Sequence, residues 1–344
     1  MTYQEFREYV TGHIKDYLPD SYQDAEVWIR TKVEVNDRKT DMLLVRRQGE
    51  NFAPVIYLEE IYQVMENQEL DVPAMLRTVA EMRLEREKAR VPDVRQLMDR
   101  EEILKNARIR VINYEANEAY LSDKPCVRAG DFAITFYIPV EEPEGFWGNG
   151  IITYDFLRKA EIDVGELYEK ATGNTERESP AKLYTMNEML SLLEKEDGGE
   201  AALFMDGDAY PPVYVLTNQE KYLGAAALFY PGAQERLSEV MHGDYIVIPS
   251  SVHEVLVIPE RLLPDGDLQE IDEMVQAVNG TEVKPEEVLG SGGYYYDHTN
   301  GILMSLEKRR LMCLQEQKEF RPQHPDPALK PAVKKAPAVR KPRL

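Results

Sequence analysis

The alternation of hydrophobic and polar positions divides the beginning of the chain into helical and extended segments. Apolar side chains recur at helical spacing from Phe6 to Tyr17, and Pro19 follows, which predicts an amphipathic opening helix. Three β-prone runs come next, at 25–35, 42–46 and 53–57. The helical period then returns over 58–67 and 72–89. This part of the chain is therefore predicted to fold as one helix, three strands and two helices.

Two further groups of elements follow, one after position 91 and one after position 179. The first predicts a helix at 94–104, strands at 109–113 and 130–140, a loop at 145–151, helices at 156–160 and 164–171, and a connector at 174–180. The second predicts a helix at 186–195, strands at 201–205, 213–217 and 223–230, a helix at 232–241, strands at 244–249 and 254–258, and a helix at 268–279. Strands that follow one another without crossover helices favour antiparallel pairing, so the predicted class is α+β.

The order of these elements predicts two lobes, each with an antiparallel sheet flanked by helices. We place the lobes at 1–178 and 179–320, with a sub-boundary near 91. Residues 321–344 contain six prolines and almost no large apolar side chains, which predicts a disordered tail. The same order disfavours dinucleotide-binding folds, which need a parallel sheet.

Charge is distributed unevenly between the body and the tail. The tail has seven basic side chains and one acid, so its net charge is +6. Since the whole chain carries −21, residues 1–320 carry −27. An acidic body repels a phosphate backbone, so nucleic acid is not the expected partner of the body. The tail has no aromatic residue to stack on a base, so it is expected to bind nucleic acid only weakly.

Composition also bears on location and cofactors. No run approaches the roughly 18 apolar residues that a spanning helix needs, and MTYQEFREYV has neither a basic n-region nor an apolar h-region. Cys126 and Cys313 lie far apart and fit no metal-ligand spacing, which favours free thiols in a reducing compartment. We therefore expect a cytoplasmic protein without a membrane partner, a cofactor or a structural zinc ion.

The most chemical-looking cluster is formed by Ser250, Ser251, His253 and Glu254, because hydroxyl, imidazole and carboxylate groups serve in nucleophilic catalysis. Adjacent side chains on a strand point to opposite faces, so His253 and Glu254 are not expected to reach one hydroxyl together. The GxSxG pattern is also missing. A hairpin turn whose hydroxyls satisfy backbone groups is the favoured interpretation, and catalysis is the alternative.

Other polar residues suggest metal or phosphate binding only weakly. His242, His253 and His298 could meet Asp206, Asp208 or Asp297, but no HxxxH or HExxH spacing supports a metal site. The pair Asp206 and Asp208 resembles the start of a calcium loop, yet Tyr210-Pro211-Pro212 interrupts the pattern. The glycines of 290–293 are followed by tyrosines rather than by the Lys and Ser/Thr of a P-loop. We expect no metal and no phosphate cradle here.

Two segments are candidates for contact with a partner. Tyr294, Tyr295 and Tyr296, followed by Asp297, put aromatic rings on both faces of a predicted strand, which suits either packing by the next helix or a contact surface for a partner. Packing is favoured for the inner face of the strand. A predicted terminal helix, beginning near 302 and reaching about 320, carries apolar residues on one side. It either packs on its own domain or binds another chain.

Several stretches resemble a family of uncharacterised bacterial proteins known only as a domain of unknown function. The resemblance is carried by YLGAAALFYPG, IPSSVHEVLVIP and NGTEVKPEEVL, at 222–232, 248–259 and 279–289. It extends over most of residues 1–300, and the basic tail lies outside it. The resemblance implies no activity, no catalytic residues and no ligand.

The missing catalytic and cofactor motifs, together with two sheet-bearing lobes, favour a non-enzymatic interaction or accessory protein with a protein partner. The alternative is an enzyme of unknown reaction, such as a hydrolase that uses the polar residues of 250–254. A hydroxyl about 3 Å from the His253 ring inside a pocket would favour the enzyme.

Overall fold

The computed structural model describes residues 1–50, 53–68, 71–87, 99–141, 147–197, 213–263 and 268–319. Within these residues the strands form three sheets, and all of the strand pairs are antiparallel. Helices pack on the sheets, so the predicted α+β class is confirmed. The predicted strand at 201–205 and the tail at 321–344 lie outside the described residues.

The first sheet has the order β1-β2-β3. Its elements are α1 (Tyr3–His13), β1 (Glu26–Val33), β2 (Lys39–Arg46), β3 (Val55–Tyr57), α2 (Leu58–Gln68) and α3 (Val72–Glu87). Thr2 and Glu5 form a capping box that satisfies backbone N–H groups at the start of α1. Phe6 and Val10 of α1 are fully buried against the inner face of the sheet, which fixes the helix beside β1. The predicted elements of this region are confirmed.

The second sheet has β6 at its centre, paired with β4 on one side and with β5 and β7 on the other. Its elements are α4 (Arg100–Asn106), β4 (Arg108–Asn113), α5 (Glu118–Leu121), β5 (Cys126–Ala129), β6 (Phe132–Glu141), β7 (Trp147–Ile151), α6 (Tyr154–Ala160) and α7 (Val164–Glu178). The loop predicted at 145–151 is wrong over 147–151, because the backbone of this glycine-rich run pairs with β6.

Helix α7 also continues past the predicted stop at Gly173, through the segment expected to be a connector. The reason lies in contacts with distant residues. Asn174 Nδ2 donates to the carbonyl oxygens of Leu104 and Ala107 at 2.8 and 3.1 Å, and Thr175 Oγ1 accepts from the N–H of Ile109 at 2.9 Å. These bonds stabilise a helical turn that local propensity disfavours.

The third sheet has six strands in the order β13-β12-β10-β11-β9-β8. Its elements are β8 (Ala181–Thr185), α8 (Met186–Asp197), β9 (Tyr214–Asn218), α9 (Ala233–Met241), β10 (Tyr245–Pro249), β11 (Val255–Pro259), α10 (Leu268–Thr281), β12 (Tyr294–Asp297) and β13 (Ile302–Ser305). Strand β8 was not predicted. The strand predicted at 223–230 is wrong: Leu223 has a left-handed backbone (φ 52°), and Gly224–Phe229 form a buried 3-10 segment.

One buried hydrophobic cluster joins the second and third sheets, with members from both sides of position 178, among them Ile109, Phe136, Val247 and Tyr294. Met1–Leu306 form one compact unit, and the division into lobes at 178 stays a prediction. The second unit begins at Glu307; its described part belongs to α11 (Leu306–Glu319), which starts later than predicted because 302–305 form β13. Among the described helices, none has the length and apolarity needed to cross a membrane.

Candidate functional site

The Ser250–Glu254 segment forms the turn between β10 and β11. Glu254 Oε1 accepts hydrogen bonds from the hydroxyls of Ser250 and Ser251, both at 3.0 Å. Ser251 Oγ in turn accepts from the backbone N–H of His253 at 3.0 Å. The hydroxyls therefore bond within the turn, as they do in turns stabilised by serine side chains.

The imidazole of His253 points away from these hydroxyls. Its Nδ1 accepts from the backbone N–H of Leu223 at 3.1 Å, which places the proton of the neutral ring on Nε2. Nε2 lies 3.6 Å from Glu287 Oε1. Because Nδ1 accepts a backbone proton and Nε2 faces a carboxylate, neither ring nitrogen is placed to take a proton from Ser250 or Ser251. The arrangement is that of a structural turn.

The backbone near Gly224 packs tightly against the Ser250–Glu254 turn. Gly224 lies so near this turn that an added Cβ would come within 2.5 Å of the His253 carbonyl oxygen and 2.7 Å of the Asn218 nitrogen, and closer still to Thr217 Oγ1. Thr217 Oγ1 donates to the same His253 carbonyl at 2.8 Å. Gly224 and Thr217 thus pack directly against the inner side of the turn.

The histidines and Asp297 considered for a metal site belong to the described part of the chain. Asp206 and Asp208 lie outside the described residues. His298 instead pairs with Asp244, with Nδ1 2.7 Å from Oδ1. Among the described residues, no three or more His, Cys, Asp or Glu side chains lie close enough together to hold a metal ion.

Asp244, which sequence analysis did not single out, precedes β10 and accepts three bonds. Its donors are the Tyr295 hydroxyl, the His298 backbone N–H and the His298 ring. Burial alone would raise the pKa of the Asp244 carboxyl, but these hydrogen bonds outweigh burial and hold the pKa below its usual range. Asp244 therefore ties the β12–β13 turn to the start of β10.

The three consecutive tyrosines form strand β12, and all three side chains are buried. Tyr294 packs on Phe132 with ring centroids 4.5 Å apart, and Tyr296 stacks on Tyr245 at 4.7 Å. Burial raises the pKa of Tyr294 and of Tyr296. Both faces of the strand are thus packed, so the tyrosines offer no open contact surface in this state.

Two polar neighbours of this strand also act locally. Asp297 Oδ1 accepts from the N–H groups of Thr299 and Asn300 and so closes the turn after β12. In the glycine segment before β12, Asp272 Oδ1 accepts from the Gly293 N–H at 2.8 Å. A carboxylate bound to this loop disfavours a phosphate there, because the two groups carry like charge.

The clearest open feature is one that sequence analysis did not select, the outer edge of β1. Within the described residues β2 is the strand that pairs with β1, in a register that joins Glu26 to Arg46 and Val33 to Lys39. The same register continues to Glu34, whose N–H donates to the Arg38 carbonyl at 2.7 Å. Hydrogen-bonding direction alternates along a strand, so even-numbered residues face β2. The backbone groups of Val27, Ile29, Thr31 and Val33 therefore point outward.

A cleft lies between this edge and helix α1. It measures about 400 Å³ and is lined by one residue of β1, Ile29, and five positions of α1: Gln4, Arg7, Glu8, Thr11 and Gly12. A Cβ added at Gly12 would meet no atom within 4 Å, which shows how open the helix side of the cleft is. Among the described residues none bonds to the outward backbone groups of β1, and there is space beside them.

A buried carboxylate holds the two walls of this cleft together. Asp41 of β2 accepts from the Thr31 hydroxyl at 2.6 Å and from the Tyr3 hydroxyl at 3.1 Å, and its Oδ2 lies 2.9 Å from Arg7 Nε. Burial, together with the carboxylates of Glu59 and Asp41, raises the pKa of Tyr3. Because Thr31 is on β1 and Arg7 on α1, Asp41 sets the spacing of the cleft.

The side chains of β1 divide between the two faces of the sheet. Val27 and Ile29 pack toward the helices, and Thr31 reaches Asp41 on that side. The even-numbered residues consequently lie on the opposite face, in the order Glu26, Trp28, Arg30, Lys32. This outer face carries one acid, one aromatic ring and two bases, and the Arg46 guanidinium lies over the Trp28 ring at 5.4 Å.

The edge of the third sheet at β8 is less open. It is five residues long, follows Pro180, and its Thr185 N–H is already bonded to the Glu188 carboxylate at 2.7 Å. A second cleft of about 430 Å³ lies beside it, lined by Tyr184 and residues of α8. Short length, a proline and a capped N–H are features that protect edges from pairing. We therefore take β1, not β8, as the candidate site.

Sequence reasoning predicted strand 25–35 but missed its role, since the edge position depends on which strands pair. The one available signal was the arrangement Glu26, Trp28, Arg30, Lys32 at alternate positions of a strand.

These features define an α+β protein built on antiparallel sheets. The chain belongs to a family of unknown function, DUF5688, whose sequence pattern matches residues 3–298, which confirms the resemblance noted from the sequence. No curated protein and no solved structure matches the chain.

Proposed function

We propose that this protein is a non-enzymatic interaction module that binds an extended polypeptide segment as an added strand at the edge of β1. The observation that carries the proposal is the row of outward-facing backbone groups at Val27, Ile29, Thr31 and Val33. In strand addition, main-chain hydrogen bonds supply affinity, and pockets for alternate side chains supply specificity. β1 offers both, because the cleft against α1 lies beside Ile29.

The interior geometry supports this assignment over an enzyme. The Ser250–Glu254 turn bonds to itself, and the His253 ring is committed to Leu223 and Glu287. The charge of −27 on residues 1–320 supports a protein partner rather than a nucleic acid. Free Cys126 and Cys313 support a cytoplasmic location, which fractionation of the native cells would check.

A proline at position 29 tests the proposal. Ile29→Pro removes an N–H that faces outward and leaves the β1–β2 hydrogen bonds in place, since proline is tolerated on the free side of an edge strand. Ala181→Pro is the matched control. Pro180 bonds toward β9, and Met186 bonds to Val213, which directly precedes β9. Because the direction alternates along the strand, the N–H of Ala181 points away from β9.

The probe is a set of extended peptides selected from a random display library on the wild-type protein. Their affinities for both variants are measured by fluorescence anisotropy, with circular dichroism to verify folding. We expect the selected peptides to lose binding to Ile29→Pro and to keep it for Ala181→Pro. Selection of no peptide by protein that sediments as a monomer, or equal binding to Ile29→Pro, would overturn the proposal.

A further inference from the structure

We infer that the segment bound at β1 is the β1 strand of a second copy of this chain, paired antiparallel about Ile29. The inference rests on the proposed function of this edge and names its partner. The result would be a two-fold symmetric dimer in which two three-stranded sheets become one continuous sheet. In such an interface the same surface patch must complement itself.

The hydrogen bonds restrict the possible registers. Outward-facing residues must pair with outward-facing residues, so odd positions of one β1 face odd positions of the other. If the two-fold axis passes at Ile29, every residue from 26 to 32 has a partner, and all of them lie within Glu26–Val33. The residue at the axis is called the centre of the register. A centre at Trp28 uses only 26 to 30, because β1 begins at Glu26. A centre at Arg30 sets that guanidinium against its own copy.

The side chains agree with the centre at Ile29. On the outer face, Glu26 meets Lys32 of the second copy and Trp28 meets Arg30, and each pair occurs twice by symmetry. The first is an opposite-charge pair and the second a cation–π pair, both favourable across strands. On the inner face Ile29 meets its own copy, and Val27 meets Thr31.

Charged residues on an edge strand usually prevent pairing, because like charges meet. On β1 the charges have opposite signs at mirror positions, so pairing brings unlike charges together. Glu26 and Lys32 each form an ion pair within the chain, with Arg46 and Glu34, but both stay accessible to a second partner. The side chain of Glu26 is 66% exposed and that of Lys32 is 45% exposed.

Charge exchange tests the inference in the full chain. Glu26→Lys places Lys against Lys, and Lys32→Glu places Glu against Glu, twice each. We expect each variant to dimerise about 10-fold or more weakly than wild type by sedimentation velocity. An equimolar mixture of the two should form a heterodimer, since each of its two outer pairs is then Lys with Glu, and the double variant should regain the wild-type affinity.

Disulfide trapping tests the register. Ile29→Cys should form a disulfide dimer on mild oxidation, because directly opposed residues of a hydrogen-bonded pair lie about 5.5 Å apart at Cα. Val27→Cys, which faces Thr31 of the second copy, is the control and should not, and both variants keep Cys126 and Cys313.

A dimer that ignores the charge changes would overturn the inference, as would trapping of Val27→Cys in preference to Ile29→Cys. A wild-type protein that stays monomeric while it binds selected peptides through Ile29 would also overturn it and would leave the proposed function standing. A monomer that binds no peptide would overturn both.

Discussion

The Ser250–Glu254 turn and the edge of β1 differ in how far their polar groups are already satisfied. In the turn, Glu254 binds two hydroxyls, the His253 ring binds Leu223, and Gly224 packs so closely that it has no space for a Cβ. Along β1, alternate backbone groups point outward beside a cleft. One region has chemical-looking residues that bond to each other, and the other has ordinary residues whose outward backbone groups bond to none of the described residues.

The difference shows that residue type is a weaker guide to a site than unsatisfied geometry. A buried group that has its partners contributes to stability, whereas an exposed backbone edge can bond to another chain. Substitutions in the turn should therefore lower the free energy of unfolding, and substitutions on the outer side of β1 should change association instead.

The largest effect is expected for Gly224→Ala. The new Cβ would collide with the His253 carbonyl and the Asn218 nitrogen, which are backbone atoms that cannot move aside easily. Overpacking of this kind costs about 3 kcal/mol of unfolding free energy. Urea denaturation gives the value, and Gly12→Ala is the control: with open space around it in a helix, that change should stabilise by up to about 1 kcal/mol. Equal effects at both glycines would remove the contrast between the regions.

Glu254→Ala should have the next largest effect. It leaves the hydroxyls of Ser250 and Ser251 without their acceptor, and loss of a buried partner costs about 1 to 3 kcal/mol. Glu254→Gln keeps an acceptor oxygen and should restore most of the stability. If the alanine variant instead unfolds at the wild-type urea concentration, the structural interpretation of the turn is wrong.

A smaller, pH-dependent effect is expected for Asp244→Asn. The folded pKa of Asp244 is lowered, so its contribution to stability is complete above the unfolded pKa of about 3.9 and is lost as pH falls through the folded pKa. The variant should be less stable than wild type at pH 7, with a gap that narrows below pH 4. Urea titrations at both pH values measure it; a gap that widens in acid would contradict the assignment.

The smallest effect on stability is expected for Arg30→Gln. Arg30 is exposed on the outer face of β1, and substitutions of this kind change unfolding free energy by about 0.5 kcal/mol or less. Self-association should nevertheless weaken, because the contact with Trp28 of the second copy is lost. Thermal melting of dilute protein and sedimentation of concentrated protein separate the two quantities. A large loss of stability in the dilute protein would mean that Arg30 supports the monomer.

Much of the secondary structure follows from the sequence alone. Periodicity predicted α1, β1 to β3 and α9 with β10 and β11, because these elements bury one regular face and carry clear turn residues at their ends. The α+β class followed from the order of strands and helices. The sequence also favoured a hairpin turn whose serine hydroxyls satisfy backbone groups. Ser251 Oγ does accept the N–H of His253, but both hydroxyls donate to the Glu254 carboxylate, which was not predicted.

Other features needed the tertiary structure, because each depends on residues far apart in sequence. The run at 147–151 is a strand only because β6 pairs with it, and α7 passes Gly173 only because Asn174 and Thr175 bond to residues 104–109. The open edge of β1 is likewise a property of the sheet. The sequence determined the pattern of charges on that strand, but only the pairing of β1 with β2 on one side decided that its other side faces outward.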